Sequence, residues 1–247
     1  MEQWLEGRVV EQHRWSDKLY SLRFQAPVAD FSAGQFIRLA LEVDGERVAR
    51  PYSLVNPPGS PVLEVHFNEV PEGPLSPRLA KLQPGDRVWV AAKPNGFFTL
   101  AQLPEARDLW MLATGTALGV YLSILRTEES WRRFRHLLLV HNVRYANQLS
   151  YPEQIAELRT RHGERFRYLP LTSRESRPQA LQGRILAALQ DGRLEARAGL
   201  PLGAEHSHVM LCGNMGMIRE VSEALEARGM RKHRHKEPGH FTQEKYH

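Results

Sequence analysis

Residues 50–54 read Arg50-Pro51-Tyr52-Ser53-Leu54, a combination too polar for an ordinary core strand and too oddly composed for an ordinary surface one. Arginine offers a rigid fork of donors suited to phosphate, an aromatic ring follows two residues later, and a hydroxyl comes directly after it. In extended chain Arg50 and Tyr52 share one face while Ser53 turns to the other. A ligand that uses a cation, a flat face and a small hydrogen-bonding group within so short a span is a flavin nucleotide. Taken alone, the stretch equally fits an edge strand with a solvated Arg and a half-buried Tyr, so its meaning depends on what surrounds it.

Working outward, Trp4 to about Val90 consists of short alternating segments separated by turn signals, the pattern of antiparallel β structure. Tyr20, Leu22 and Phe24 share one face, as do Ile37, Leu39 and Leu41, and Leu63, Val65 and Phe67 repeat the alternation. Asp44-Gly45 suits a tight hairpin, and Pro57-Pro58-Gly59 and Pro84-Gly85-Asp86 mark further turns. Closing such strands into a small barrel removes their exposed edges. A helix is expected at Ser76-Pro77-Arg78-Leu79, with Ser76 as its N-cap and Pro77 at the first helical position.

The composition shifts at Leu103-Pro104-Glu105, and a domain boundary is expected there. Beyond it, apolar strands alternate with helical stretches: Leu109 to Ala113 then Ala117 to Leu125, Leu137 to Val140 then Pro152 to Arg161, Phe166 to Leu171 then Ile185 to Leu189, and Val209 to Cys212 then Ile218 to Ala227. Strands joined by helices imply a doubly wound parallel sheet, whose ligands bind beyond the carboxyl ends of its strands. At those ends stand Thr114-Gly115-Thr116-Ala117-Leu118-Gly119-Val120, His141-Asn142-Val143-Arg144, Thr172-Ser173-Arg174 and Cys212-Gly213-Asn214. The glycines permit close backbone approach to phosphate. The second strand does not end in the acidic residue that accepts from a 2′-hydroxyl; Arg144 instead invites a 2′-phosphate.

Bulk properties narrow the function. At 247 residues the chain suits two modest domains. No apolar run approaches the roughly 20 residues of a membrane helix, and Glu2 and Glu6 near the start leave no secretory signal, so a cytoplasmic protein is expected. One cysteine excludes an intramolecular disulfide and a thiolate set for zinc or iron–sulfur, leaving redox chemistry to an organic cofactor. The eleven histidines are scattered, and those in the basic tail Arg231-Lys232-His233-Arg234-His235-Lys236 repeat no known ligand spacing, so a solvated charge run is expected there rather than a metal site. A formal charge of +5 favours an acidic partner.

These motifs together resemble the ferredoxin–NADP reductase family. Arg50 to Ser53 is similar to that family's Arg-x-Tyr-Ser flavin signature, and Gly73-Pro74-Leu75-Ser76, Ala113-Thr114-Gly115-Thr116, Leu211-Cys212-Gly213 and Glu244-Lys245-Tyr246 follow in the family's order. The resemblance runs nearly end to end and is nearest to the short bacterial members. One departure lies in the glycine-rich turn. Ala117, Gly119 and Val120 stand where the family has Gly, Ala and Pro.

The resemblance implies an antiparallel six-stranded FAD-binding barrel over residues 1–102 and a doubly wound NADP-binding domain over 103–247 whose tail returns to the flavin. It implies FAD held by Arg50, Pro51, Tyr52 and Ser53, by Phe67, Asn68 and Glu69 along its ribityl and adenosine side, and by Pro74, Leu75 and Ser76 at the pyrophosphate. Thr116 in the glycine-rich turn is implied as a further cofactor-binding residue. NADP is expected at Val143, Arg144, Ser173, Arg174 and Arg184, with the nicotinamide near Cys212, Gly213 and Asn214. Tyr246 is expected to cover the flavin and His247 to stack on the adenine. Hydride passes between C4 of the nicotinamide and N5 of the flavin, with Ser53, Cys212 and Glu244 supplying hydrogen bonds and a proton path.

The implied partner is an acidic electron carrier, ferredoxin or flavodoxin, served by a monomer with no nucleic acid and no membrane involved. The alternatives are an NAD(P)H-dependent flavin reductase or oxygenase-coupled reductase, disfavoured by Arg144 and the missing cysteines, and a flavin-free docking subunit.

Overall fold

The computed structural model describes residues 2–245. Its chain groups into two compact units. One runs to Thr99 and takes in Gly119–Thr127; the other comprises Leu100–Leu118 and the residues from Glu128 onward. The expected boundary after Gln102 lies close to the first of these divisions, whereas Gly119–Thr127, read from sequence as part of the second half, groups with the first.

The first unit contains β1 (Trp4–Ser16), β2 (Leu19–Gln25), β3 (Phe36–Val43), β4 (Glu46–Ser53), β5 (Leu63–Asn68), the single-turn helix α1 (Ser76–Leu79) and β6 (Arg87–Ala91). The strands form one sheet in the order β4-β3-β6-β1-β2-β5, every neighbouring pair antiparallel. The sheet closes where β4 ends. Leu54 bridges to Val65, and Val55 N donates to Glu64 O at 2.9 Å. The expected Asp44-Gly45 hairpin is present, with φ of +52° and +83° at the two turn residues, the left-handed pair that a two-residue turn between right-twisted strands requires.

Leu22, Phe24, Ile37, Leu39, Val65, Phe67, Val88 and Val90 fill the barrel, each stabilising it by about 1.5–3 kcal/mol relative to exposure. Leu54, fully buried, follows Ser53 into this core and fixes where β4 stops. Its N–H donates to Gln35 O at 3.1 Å.

The α1 expectation needs one correction. Leu75, not Ser76, occupies the N-cap, and no side chain caps the helix. The Ser76 hydroxyl instead accepts from Val70 N at 2.9 Å, tying the start of the helix to the segment that leaves β5.

The remaining elements are β7 (Asp108–Thr114), α2 (Leu118–Leu125), α3 (Glu128–Arg133), β8 (His136–Val143), α4 (Pro152–His162), β9 (Phe166–Thr172), β10 (Leu181–Gln182), α5 (Ile185–Gln190), α6 (Arg193–Ala198), β11 (Ser207–Gly213), α7 (Met215–Ala227) and β12 (Phe241–Lys245). The strands form a parallel sheet in the order β10-β9-β8-β7-β11-β12. From β7 the chain builds outward through β8 and β9 and then returns to add β11 on the other side. The strand order therefore reverses between β7 and β11, the position at which such sheets bind ligands.

The central strands read as continuous apolar runs, as sheets covered on both faces do. Trp110, Leu112, Leu138, Val140, Val209 and Leu211 are buried in one cluster with residues of α5, α6 and α7. Helices α3 and α6 and strand β12 were not expected from sequence. No described helix is long and apolar enough to cross a membrane.

Candidate functional site

In the barrel unit, β4 presents Arg50, Pro51, Tyr52 and Ser53 in sequence at its end. Arg50 is exposed, and among the described residues its guanidinium bonds only to Ala49 O, at 2.7 Å. Tyr52 is half-buried, and burial pushes its phenol up to about 12 against the opposing pull of Arg50, so the ring is neutral at any working pH. The Tyr52 ring meets Phe67 edge-on with centroids 5.9 Å apart, and Phe67 stacks on Tyr20 at 5.7 Å. A buried aromatic base thus fixes the plane of Tyr52. Ser53 is 6% exposed.

Phe67 and Leu75 are buried in the barrel core, so only their backbones remain to meet a ligand. Asn68 and Pro74 are exposed, and Glu69 is half-buried with its N–H donating to Lys18 O at 2.8 Å. A guanidinium with no ion pair among the described residues, a neutral ring and a nearly buried hydroxyl on one short strand are groups able to meet a phosphate and a flat ring.

In the second unit the strand ends converge. Gly115 opens the turn after β7 with φ +56° and open space where a side chain would stand. His141, fully buried on β8, holds this turn from below: its Nε2 lies 3.0 Å from Gly115 O and its Nδ1 3.2 Å from the Tyr168 hydroxyl. A carbonyl only accepts, so Nε2 carries the proton and Nδ1 receives the Tyr168 O–H. Burial pushes His141 down to about 4, partly opposed by the Gly115 bond. Thr116, next in the turn, is buried.

Gly213 at the end of β11 has φ +135°, and a Cβ there would run into Thr114 Oγ1; glycine is required. Thr114 Oγ1 also accepts from Asn214 N at 2.8 Å, while the Asn214 side chain caps α7 by accepting from Gly216 N and Met217 N. The two strand ends on either side of the reversal are thereby joined.

Arg144, Arg174 and Arg184 are exposed, at the ends of β8 and β9 and after β10. Arg174 N donates to Arg144 O and Ser173 N to Val143 O, both at 3.0 Å, which sets the backbones of these positions side by side. None of the three guanidinium groups has an ion pair or hydrogen bond among the described residues. Cys212 is fully buried and lies in register with Glu244 of β12. Burial pushes Glu244 up to about 7. Burial first, and then the Glu244 charge, push the Cys212 thiol well above its usual value. Tyr246 and His247 lie outside the described residues.

Sequence reasoning placed the four strand ends but missed what supports them. His141 and Asn142 are buried polar residues at the end of an otherwise apolar strand, and their partners Gly115, Tyr168 and Gly183 lie too far away in sequence to be read from it.

A family profile described as an oxidoreductase FAD-binding domain matches residues 6–100, and one described as an oxidoreductase NAD-binding domain matches residues 111–223. The flavodoxin/ferredoxin–NADP reductase of Escherichia coli (strain K12) is 49% identical over 247 residues, covering 100% of both chains. The ferredoxin–NADP reductase of Pseudomonas aeruginosa is 34% identical, covering 96% of this chain and 95% of its own. A crystal structure of a ferredoxin NADP+ reductase from Neisseria gonorrhoeae with bound FAD and NADP superposes with a TM-score of 0.94 at 30% identity, covering 99% of each chain. With relatives this similar along its whole length, and with both nucleotide-binding profiles in their order, the chain belongs to the flavodoxin/ferredoxin–NADP reductase family.

Proposed function

We propose that this reductase carries electrons between NADPH and ferredoxin or flavodoxin through FAD. The observation that carries the choice of NADPH is the set of arginines Arg144, Arg174 and Arg184 at neighbouring strand ends, none of whose guanidinium groups is paired among the described residues. Such cations suit a dianionic 2′-phosphate, which NADH lacks. When bound, FAD supplies the conversion between hydride transfer and single-electron steps.

The chain's own residues bind, orient and manage protons. Arg50 offers its guanidinium to the pyrophosphate; Pro74, Leu75 and Ser76 line the same group, and Phe67, Asn68 and Glu69 the ribityl and adenosine side. Tyr52 presents a neutral face and Ser53 a hydroxyl. Thr116 belongs to the glycine-rich turn and is assigned to cofactor binding there. Val143 and Ser173 flank the arginines, Gly213 and Asn214 leave room for the nicotinamide, and Tyr246 and His247 complete the tail assigned to the flavin and the adenine. Ser53, Cys212 and Glu244 are the residues assigned to hydride and proton transfer. Glu244, held near 7 by burial, exists in both protonation states at neutral pH, as a proton-shuttling carboxyl must. FAD is assigned to residues 1–102 and NADP to 103–247.

The formal charge of +5 suits an acidic carrier, and we place the enzyme in the cytoplasm as a monomer acting without nucleic acid or membrane. The test is NADPH- and NADH-driven reduction of a panel of ferredoxins and flavodoxins over a range of salt. We expect NADPH to be preferred and carrier reduction to fall as salt rises, since exposed charges are screened beyond about 10 Å at 0.1 M. Reduction of a small neutral acceptor should barely respond. Preference for NADH, or equal salt sensitivity for both acceptors, overturns the reading.

A further inference from the structure

We infer that Asn142 is a positioning residue for 2′-phosphate recognition, acting through the peptide from which Arg184 extends; the inference rests on the reading of Arg144, Arg174 and Arg184 as the phosphate clamp. Asn142 is 8% exposed. Its Nδ2 donates toward Gly183 O at 3.2 Å, Leu171 O at 3.3 Å and Val143 O at 3.3 Å. Two amide protons serve three carbonyls, so the group is saturated as a donor and has no N–H left to offer a phosphate. Its work is internal.

What it holds is the link into Arg184. The Gly183 carbonyl is half of the peptide bond whose nitrogen belongs to Arg184. The other side of Gly183 is held as well, because its N–H donates to Thr172 O at 2.9 Å. Gly183 has φ +108°, a conformation glycine adopts without steric penalty and therefore leaves readily unless tethered. The two bonds fix that residue against β9 on one side and β8 on the other. Arg144 stands two residues beyond Asn142, and Arg144 O accepts from Arg174 N at 3.0 Å, so one strand end organises all the arginines.

Among the described residues the Arg184 guanidinium has no hydrogen bond or ion pair, so the backbone it springs from sets its reach: the Gly183 peptide on one side and, on the other, the Arg184 carbonyl that accepts from Ala188 N at 3.2 Å. Without the Asn142 amide, the Gly183 segment samples more conformations. Ordering it on binding then opposes recognition of the one group that Arg184 grips. An adenosine ligand lacking the 2′-phosphate is indifferent to this.

The test uses the FAD-loaded enzyme and isothermal titration with adenosine 2′,5′-bisphosphate and with 5′-ADP. Asn142→Ala should weaken the bisphosphate by about three- to tenfold, the range of one or two neutral hydrogen bonds, and leave 5′-ADP within about twofold. Asn142→Asp, of the same shape but facing three carbonyls with no donor, should lose at least as much. Asn142→Ser, which keeps one donor, should lie between parent and Ala and supplies the comparison if the Asp variant does not fold. In turnover the NADPH KM should rise with kcat nearly unchanged. On an Arg184→Ala background, Asn142→Ala should add nothing. Equal loss for both ligands, or loss in Ala but full retention in Asp, assigns Asn142 to packing and overturns the inference. If Arg184→Ala loses bisphosphate affinity while Asn142→Ala does not, the clamp stands and the positioning role falls; if neither responds, the clamp itself falls.

Discussion

Cys212 and Glu244 stand opposite each other in parallel register on β11 and β12, a thiol and a carboxyl each driven toward its neutral form by burial, with the Glu244 charge further disfavouring the thiolate. At neutral pH the thiol keeps its proton while the carboxyl, near 7, is shared between its two forms. This is not the setting of a reactive thiolate.

The thiol should therefore be inert in the folded protein. Cys212 is fully buried, so alkylation at pH 8 requires local opening and should run roughly a hundredfold or more slower than in the urea-unfolded chain. Mass spectrometry after timed iodoacetamide exposure measures this. Rapid labelling of the native enzyme would contradict the burial that sets both proton affinities.

Flavin retention should depend on Arg50. Its guanidinium has no ion pair among the described residues, so Arg50→Ala disturbs no internal pair. It removes a charge-assisted bond worth about 1.5–3 kcal/mol, or roughly ten- to a hundredfold in FAD affinity. Flavin absorbance per polypeptide after dialysis reports the loss, and full flavin content in the variant would displace Arg50 from the pyrophosphate.

Nucleotide preference should depend on Arg174. Arg174→Ala should lower the NADPH to NADH ratio of kcat/KM by about ten- to a hundredfold, with NADH turnover and flavin content unchanged. Removing Arg144 as well should lower the ratio further but less than additively, because neighbouring charges share one phosphate. An unchanged ratio in the double variant leaves the clamp without support.

Acid sensitivity should trace to His141. Its folded value near 4 lies below the usual 6.5, so the unfolded chain binds the extra proton first as pH falls. The neutral ring's contribution is fully present above about 6.5 and is lost progressively down to about 4, on the order of 3 kcal/mol in all. His208, pushed down to about 3 by burial and then by His233, adds to the same slope. His141→Gln should be less stable than the parent at pH 7, where two hydrogen bonds are disturbed, yet show a shallower decline between pH 7 and 4.5 in urea denaturation. A decline as steep as the parent's would assign the acid sensitivity to other groups.

The fold was legible where periodicity and punctuation agreed. Tyr20, Leu22 and Phe24 alternate, Asp44-Gly45 turns, and the strands ending in Thr114, Val143, Thr172 and Gly213 each give way to small or polar residues. β12 was not legible, because Phe-Thr-Gln-Glu-Lys carries a single fully buried apolar side chain, Phe241. An edge strand of a parallel sheet can be held mainly by backbone pairing to its neighbour. The arginines at the strand ends were readable as charge in a meaningful place. The tethers Asn142 and His141 were not, since a buried polar side chain is defined by partners that lie far away in sequence. Ser76 shows the same limit in reverse: its local pattern suggested a cap, while its hydroxyl was taken by Val70 N.

The grouping of Gly119–Thr127 with the barrel strands bears on the order in which the polypeptide matures during synthesis. Ser123 Oγ donates to Asn56 O at 2.8 Å, and a side chain at Gly119 would crowd Val55, so the amino-terminal unit completes its packing only with residues made after β7. At translation rates of roughly 5–20 residues per second, the barrel strands wait a few seconds for their last segment. The chain is therefore laced rather than strung: no single peptide bond separates two finished bodies, and a nick between Thr99 and Gly119 would leave the first unit short of a piece it needs.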